Sequence, residues 1–271
     1  MQGKFAFPAL FLFRGLFMNL QAFALGVIIC QLAAGVGVAQ SRARVFDAQL
    51  GTHFSMLPSD EWVEPACGTN GGPPSLQLDG FENFGSCRVD DETGLWEVSF
   101  IYDDEWEYLA RALGTPEDIR RYSASYFYAQ PILTSLMFDA GGFLQGYRVI
   151  TDPRTLVETR QEAYGLHLIF KTLFENVNWD CTNLPAQDRE IPFNGVFIKS
   201  SCIAVNDTLF VRSEARFLSK PGQNLRDVPG LTREEEGNFE SWSRLDVYAL
   251  NAVTGAPCCN ATHPGGESPP R

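Results

Sequence analysis

Alternating apolar and polar side chains mark several stretches of the chain as β-strands. Trp96, Val98 and Phe100 alternate with more polar neighbours, which is the period expected of a strand that buries one face. Similar patterns predict strands over residues 81–89, 95–102, 132–139, 143–151, 196–205, 208–218 and 239–250. Short segments that contain Gly, Asn or Asp separate several of them, so we predict that neighbouring strands pair as antiparallel hairpins.

A helical pattern is clearest between residues 153 and 174. Asp152 can cap a helix N-terminus, and Pro153 suits the first helical turn. Apolar residues then recur at spacings of three and four: Ala163, Leu166, Phe170, Leu173 and Phe174. We therefore predict one long amphipathic helix over about 153–174.

Shorter helices are predicted near the middle of the chain. Asp104 precedes a helical stretch over residues 105–113, which Gly114 ends. Thr115 and Pro116 then begin a second helix. Hairpins with interspersed helices indicate the α+β class, with a mainly antiparallel sheet on which the long helix and the shorter ones pack.

The first forty residues differ in character from the rest of the chain. Lys4 and Arg14 are the only charged residues before Arg42. A mostly apolar run follows Arg14 and ends in small residues before Gln40. This order predicts a secretory signal peptide over residues 1–39, removed after export. The run is also long enough to span a bilayer, so an uncleaved membrane anchor is the alternative.

The remaining chain is predicted to be one domain with a tail. Residues 40–256 form a single α+β domain stapled by disulfides, and residues 45–57 enter it as an extended segment. Residues 257–271, rich in Gly and Pro, form a flexible C-terminal tail. The 45% hydrophobic content is ample for a packed core.

The cysteines fit an exported protein. Six of the seven lie after the predicted signal, and an even number in an exported chain indicates disulfides. Local spacing favours the pairs Cys67–Cys87 and Cys181–Cys202. Cys258 and Cys259 are adjacent, so they form either a vicinal bridge or two bonds elsewhere. A zinc site near His263 would lack the usual Cys-x-x-Cys spacing.

Net charge argues against a nucleic-acid partner. The chain carries a formal net charge of −12 at pH 7. An acidic surface repels phosphate backbones, and no run of Lys and Arg offsets it. We therefore expect no binding to nucleic acid.

Two acidic clusters are the main candidates for chemistry. They occupy residues 90–92 and 103–107, and the second contains the candidate metal ligands Asp103, Asp104 and Glu105. Calcium prefers about six to eight oxygen ligands, and glycoside hydrolysis uses paired carboxylates. The alternative is a polar turn and a helix N-terminus, which favours negative charge. The sequence favours this simpler interpretation.

Other catalytic signatures are weak. His53, His167 and His263 are scattered along the chain, and His167 flanks the row of apolar residues on the predicted long helix. We predict that His167 is a packed boundary residue and not a catalytic base. The chain has neither a Gly-x-Ser-x-Gly nor a His-Glu-x-x-His motif. No catalytic residue or cofactor is assigned from the sequence.

Four segments of the chain resemble exported proteobacterial proteins without an assigned function. These segments are residues 66–74 (ACGTNGGPP), 102–108 (YDDEWEY), 148–154 (RVITDPR) and 220–223 (KPGQ). The resemblance covers most of the mature chain and carries no catalytic motif. It implies export and favours the periplasm.

Together these features favour an exported, non-catalytic binding or accessory protein of the cell envelope, either periplasmic or secreted. One alternative is a carboxylate-based envelope hydrolase, with or without calcium. The other is a membrane-anchored accessory subunit. The partner is not specified by the sequence, and contact with a membrane is expected only if the N-terminal segment is retained.

We expect the mature protein to begin near Gln40, because signal peptidases cleave after a small-residue exit such as Gly37-Val38-Ala39. Intact-mass measurement of the exported protein tests this expectation. A mass that includes residues 1–39 would contradict cleavage and favour the membrane anchor.

Overall fold

A nine-stranded antiparallel sheet forms the framework of the described part of the chain. The computed structural model describes residues 43–174, 177–219 and 239–253, which belong to one compact unit within Arg42–Arg271. The strands are β1 (Trp62–Cys67), β2 (Trp96–Tyr102), β3 (Tyr126–Phe127), β4 (Gln130–Phe138), β5 (Leu144–Thr151), β6 (Asp180–Asn183), β7 (Ile198–Val205), β8 (Leu209–Ser219) and β9 (Phe239–Ala249).

The last strand lies in the middle of the sheet. The spatial order is β1-β2-β4-β5-β9-β8-β7-β6, and the short β3 pairs with β4. β9 pairs with β5 on one side and with β8 on the other. The two halves of the sheet are therefore joined through β9.

Short helices surround this sheet. The α-helices are α1 (Glu105–Leu113), α2 (Pro116–Tyr122), α3 (Val157–Gln161), α4 (Leu166–Thr172) and α5 (Leu250–Val253). Four 3₁₀ helices span Val45–Asp47, Phe54–Met56, Phe81–Ser86 and Ala163–Gly165. Of the helices in the described ranges, none is long and apolar enough to cross a bilayer. The mostly antiparallel sheet with short helices fits the predicted α+β class.

The two faces of the sheet bury different side chains. On the first face, Val98, Leu136 and Phe170 belong to the main hydrophobic core, and α4 packs against β8 and β9. On the second face, Phe210 and Tyr248 form a smaller apolar cluster covered by α5. Charged residues from β2, β5 and β9 lie on that second face and are also buried.

Most of the strands predicted from alternation are present. The predicted hairpin of residues 132–139 and 143–151 corresponds to β4 and β5. The predicted strands 196–205 and 208–218 correspond to β7 and β8, and the final strand corresponds to β9. The predicted helices 105–113 and from Thr115 correspond to α1 and α2.

The strand predicted over residues 81–89 is wrong. Phe81–Ser86 is a 3₁₀ helix, and only an isolated bridge from Val89 to Trp96 has strand character. Residues three apart lie on the same side of a 3₁₀ helix. Phe81 and Phe84 therefore both reach the core, where their ring centroids lie 6.4 and 5.5 Å from that of Phe138.

The extended segment predicted over residues 45–57 is also wrong. It contains the 3₁₀ helices Val45–Asp47 and Phe54–Met56. The Val45 backbone N–H donates to the Tyr102 hydroxyl at 2.9 Å, and the Val45 side chain is fully buried. These tertiary contacts favour a compact conformation of residues 45–57 over an extended one.

The single long helix predicted over 153–174 is not present. The segment instead contains α3, the 3₁₀ turn Ala163–Gly165 and α4. At its start, the Asp152 carboxylate accepts the Arg154 backbone N–H at 2.8 Å, so residues 152–156 form a turn before the helix begins.

Serines of β9 explain the interruption of this helix. Ser243 Oγ accepts the His167 backbone N–H at 2.9 Å and donates to the Ala163 carbonyl at 2.8 Å. Ser241 Oγ accepts the Tyr164 backbone N–H at 3.2 Å. Bonds from the sheet thus replace bonds that a continuous helix would make internally.

Within the described residues, two disulfides tie segments of the chain together. They join Cys67 to Cys87 and Cys181 to Cys202, the two pairs that the sequence spacing favours. Cys258 and Cys259, the predicted signal peptide and the predicted tail lie outside the described residues.

Gly146 of β5 lies directly opposite Tyr248 of β9, and no larger residue fits there. A Cβ atom at position 146 would overlap the Tyr248 ring and lie 2.5 Å from the Val247 carbonyl oxygen. We expect Gly146→Ala to lower the free energy of unfolding by about 1–3 kcal/mol, as overpacking does in buried sites. Urea unfolding monitored by circular dichroism measures this change.

Gly85→Ala provides the matched control for this experiment, because no heavy atom lies within 4 Å of its added Cβ. We expect that control to stay within about 0.5 kcal/mol of the parent protein. Equal stability of both variants would contradict the proposed close contact.

Candidate functional site

The first acidic cluster, residues 90–92, serves a turn and an ion-pair network. Asp90 Oδ1 accepts the backbone N–H groups of Glu92 and Thr93 at 3.1 and 2.9 Å. The Glu92 carboxylate lies 3.0 Å from the Arg212 guanidinium, and the exposed Asp91 pairs with Arg88. These carboxylates are therefore engaged in a turn and in ion pairs.

The second acidic cluster lies at the start of α1. Asp103 Oδ1 accepts the Glu105 backbone N–H at 3.3 Å, and the Asp104 side chain makes no capping bond. β2 separates this cluster from residues 90–92, so the structure does not bring the two together. Within the described ranges, no three His, Cys, Asp or Glu side chains are grouped so that they could hold a metal ion.

The more informative feature of α1 is a row of exposed apolar side chains. Trp106, Leu109 and Leu113 are 57%, 43% and 68% exposed. Their spacing of three and four places them along one flank of the helix. We call these three residues the apolar stripe. Tyr122 of α2 stacks at its N-terminal end, with its ring centroid 6.0 Å from that of Trp106.

Glu107 anchors the opposite flank of α1. Its buried carboxylate accepts hydrogen bonds from Arg111 at 2.7 Å, from the Ala124 backbone N–H at 3.1 Å and from the Ser125 hydroxyl at 2.9 Å. Burial opposes ionisation, but the hydrogen bonds from Arg111, Ala124 and Ser125 outweigh it and lower the pKa of Glu107. One carboxylate thus fastens α1 to the segment that enters β3.

In the sequence, Glu107 is indistinguishable from its solvated acidic neighbours. The donors that surround its carboxylate come mostly from residues 123–125, which only the fold brings close. The apolar stripe itself is visible in the sequence as Trp106, Leu109 and Leu113. Only the structure shows that all three side chains remain more than 40% exposed, with the Tyr122 ring stacked on Trp106.

The hairpin of β3 and β4 exposes another aromatic side chain. Its two-residue turn consists of Tyr128 and Ala129, with φ angles of 47° and 65°. A left-handed backbone conformation costs a residue with a Cβ roughly 1–3 kcal/mol. The pairing of β3 with β4 therefore keeps Tyr128 and Ala129 in a conformation that they do not favour on their own. The Tyr128 side chain is 68% exposed at the tip.

A buried ion network occupies the second face of the sheet. Asp246 of β9 accepts hydrogen bonds from Arg148 at 2.7 Å, Arg212 at 2.8 Å and Arg244 at 2.8 Å. Burial opposes the charged form of Asp246, but the three guanidinium groups outweigh it and hold the pKa of this carboxyl far below its usual range. Arg148 also lies 2.9 Å from the buried carboxylate of Glu97.

A glycine-containing loop closes over this network. The Asn70 backbone N–H donates to Glu97 Oε2 at 2.8 Å. A Cβ at Gly68 would overlap the Glu97 side chain, and one at Gly71 would overlap Ile150. The glycines of this loop therefore permit a close approach to the sheet.

His167 is buried on α4. Its Nδ1 lies 2.9 Å from the Ser213 hydroxyl, and its Nε2 lies 3.7 Å from the Cys202 sulfur. Burial and the nearby Lys171 ammonium lower the pKa of His167 to about 4, so the ring is neutral at pH 7.

Two surface concavities of about 490 and 540 Å³ lie near the start of the described chain and share Leu57 and Trp62 as lining residues. Neither is lined by residues 90–92 or 103–107. Comparison of the chain with family models, curated proteins and solved structures found no match.

Replacing Glu107 with Gln removes the negative charge that its donors share. We expect Glu107→Gln to lower the free energy of unfolding by about 1–3 kcal/mol, because buried donors lose a charged acceptor. Because the pKa of Glu107 is lowered in the folded state, its contribution is complete above the unfolded pKa and is lost as the pH falls below it.

Chemical unfolding between about pH 7 and pH 3 compares the parent with this variant. The difference in stability is expected to shrink toward the acidic end. Glu117→Gln, at an exposed position of α2, is the matched control. A Glu107→Gln variant as stable as this control at pH 7 would argue against the anchoring role.

Proposed function

We propose that this chain is an exported, non-catalytic binding protein of the cell envelope. On this proposal, the apolar stripe of α1 holds an apolar and basic segment of a polypeptide partner. Two disulfides fit an oxidising compartment. The predicted signal peptide and the resemblance to exported proteobacterial proteins support the periplasm in particular.

The apolar stripe is the observation that carries this proposal. Isolated exposed apolar side chains are common on proteins, but a row at helical spacing is the arrangement by which helices pack against partners. Trp106 supplies an aromatic side chain of the type that often dominates binding energy. Glu107 fixes α1 before binding, which reduces the entropy lost when a partner docks.

Charge around the stripe indicates the chemistry of the partner. Asp104 and Glu105 are exposed at the start of α1, and Glu117 is exposed on α2. The whole chain is acidic, with a formal net charge of −12. A cationic segment would be attracted to this surface, whereas an anionic lipid surface would be repelled.

Peptide binding tests the proposal directly. A short labelled peptide that alternates Lys with Leu and Phe is the probe, and the same peptide with Glu in place of Lys is its charge control. We expect fluorescence anisotropy to show binding of the Lys peptide alone. Trp106→Ala with Leu109→Ala should weaken that binding at least about tenfold, as loss of central apolar anchors does.

Leu168→Ala is the matched protein control. Leu168 is 62% exposed but belongs to α4, so its loss should leave binding unchanged. Equal binding of the Lys and Glu peptides would contradict the charge argument. Equal binding by the stripe variant and the Leu168 variant would contradict the assignment of the surface.

A further inference from the structure

The two disulfides within the described residues have different surroundings. Cys67 and Cys87 are both buried, at 4% and 7% exposure. Cys181 is an exposed residue on β6, whereas its partner Cys202 on β7 is fully buried. An attacking thiol can therefore approach the second disulfide from the side of Cys181.

Two side chains of α4 lie against the second disulfide. Lys171 Nζ is 3.9 Å from the sulfur of Cys181 and 3.9 Å from that of Cys202. His167 Nε2 is 3.7 Å from the Cys202 sulfur. His167 and Lys171 are four residues apart, so one helical face presents both groups to the same bond. In the described ranges, no hydrogen bond or ion pair joins a Lys, Arg or His to the Cys67–Cys87 sulfurs.

Lys171 is equally close to both sulfurs, whereas His167 contacts Cys202, so only His167 distinguishes the two cysteines. The Lys171 ammonium stabilises a thiolate through its positive charge, as basic groups do beside reactive cysteines. His167 donates a hydrogen bond to the sulfur when its proton is on Nε2, and Nδ1 then accepts from the Ser213 hydroxyl. Because a better-stabilised thiolate leaves faster, this environment promotes departure of the Cys202 sulfur.

We propose that Cys181–Cys202 is a thiol–disulfide exchange site that accepts electrons from a dithiol reductant, whereas Cys67–Cys87 is a structural bond. This inference goes beyond the proposed binding function and does not depend on it. One thiolate of the reductant attacks Cys181 Sγ, forming a mixed disulfide and breaking the Cys181–Cys202 bond. The electron pair of the broken bond goes to Cys202 Sγ as a thiolate.

The second thiolate of the reductant then completes the exchange. It attacks the reductant sulfur that is bonded to Cys181 in the mixed disulfide, and Cys181 leaves as a thiolate. The reductant becomes a disulfide, and its two thiol protons reach Cys181 and Cys202 through solvent. Two electrons thus move from the dithiol to the protein.

The position of β6 allows this reaction without unfolding the domain. β6 is a four-residue strand at the edge of the sheet, and among the described strands it pairs with β7 alone. All four of its residues are exposed. Opening the bond therefore removes one cross-link at the sheet edge and leaves the central strands paired.

Selective reduction tests the proposal on the full-length protein. Limiting dithiothreitol is added at about pH 7.5, where thiolate is present, and free thiols are trapped with N-ethylmaleimide and mapped by mass spectrometry. We expect Cys181–Cys202 to be reduced at least about tenfold faster than Cys67–Cys87, its internal control. Equal rates, or faster reduction of Cys67–Cys87, would overturn the proposal.

Variants of Lys171 separate charge assistance from simple accessibility. We expect Lys171→Met to slow reduction of Cys181–Cys202 at least about fivefold and Lys171→Arg to preserve the rate. Arg88→Met removes a basic residue next to Cys87, where Arg88 pairs with Asp91, and should change neither rate. An unchanged rate in Lys171→Met would overturn the role of Lys171.

Two further measurements check the folding of the variant and the cysteine that is attacked first. Thermal melting identifies a misfolded Lys171→Met protein, in which case Lys171→Gln takes its place. The monothiol glutathione should be captured on Cys181 and not on Cys202, as peptide mass mapping would show. Capture on Cys202 would reverse the assigned direction of attack and overturn the mechanism.

Discussion

The ion-pair network around Asp246 is the constraint on which the sheet depends. Arg148, Asp246 and Arg212 are register partners on β5, β9 and β8, so the network crosses the junction of the two halves of the sheet. Removing one member of a buried pair typically costs about 3–5 kcal/mol, because the remaining charge loses its partner. A slip of one residue would move these charges onto the apolar face. The network therefore specifies the register of the central strands.

With the centre fixed in this way, both proposed activities lie on peripheral elements. α1 follows β2 near one edge of the sheet, and β6 forms the other edge. Each element is held in place by a specific interaction. Hydrogen bonds to the Glu107 carboxylate anchor α1, and the Cys181–Cys202 disulfide ties β6 to β7. Proteins commonly carry their functional groups on peripheral elements that a rigid central framework positions.

Local sequence patterns predicted the parts of this fold that local forces determine. Alternation located β4, β5, β7, β8 and β9, because each buries at least one apolar face. Gly114 at the end of α1 and Pro116 in the first turn of α2 located these helices, although neither Asp104 nor Thr115 makes a side-chain capping bond. The patterns failed at residues 81–89, where a 3₁₀ helix with local hydrogen bonds replaces the strand, and at 153–174, where bonds from β9 replace those of a continuous helix.

The sequence by itself determined the antiparallel strands, the short helices near Asp104 and Thr115, and which cysteines lie close enough along the chain to pair. It also displayed the apolar spacing of α1. Only the tertiary structure decided which charges are buried, because the partners of Asp246 and Glu107 come largely from other segments. The same holds for the disulfide at Cys202, whose neighbours on α4 are distant in sequence and meet it through packing.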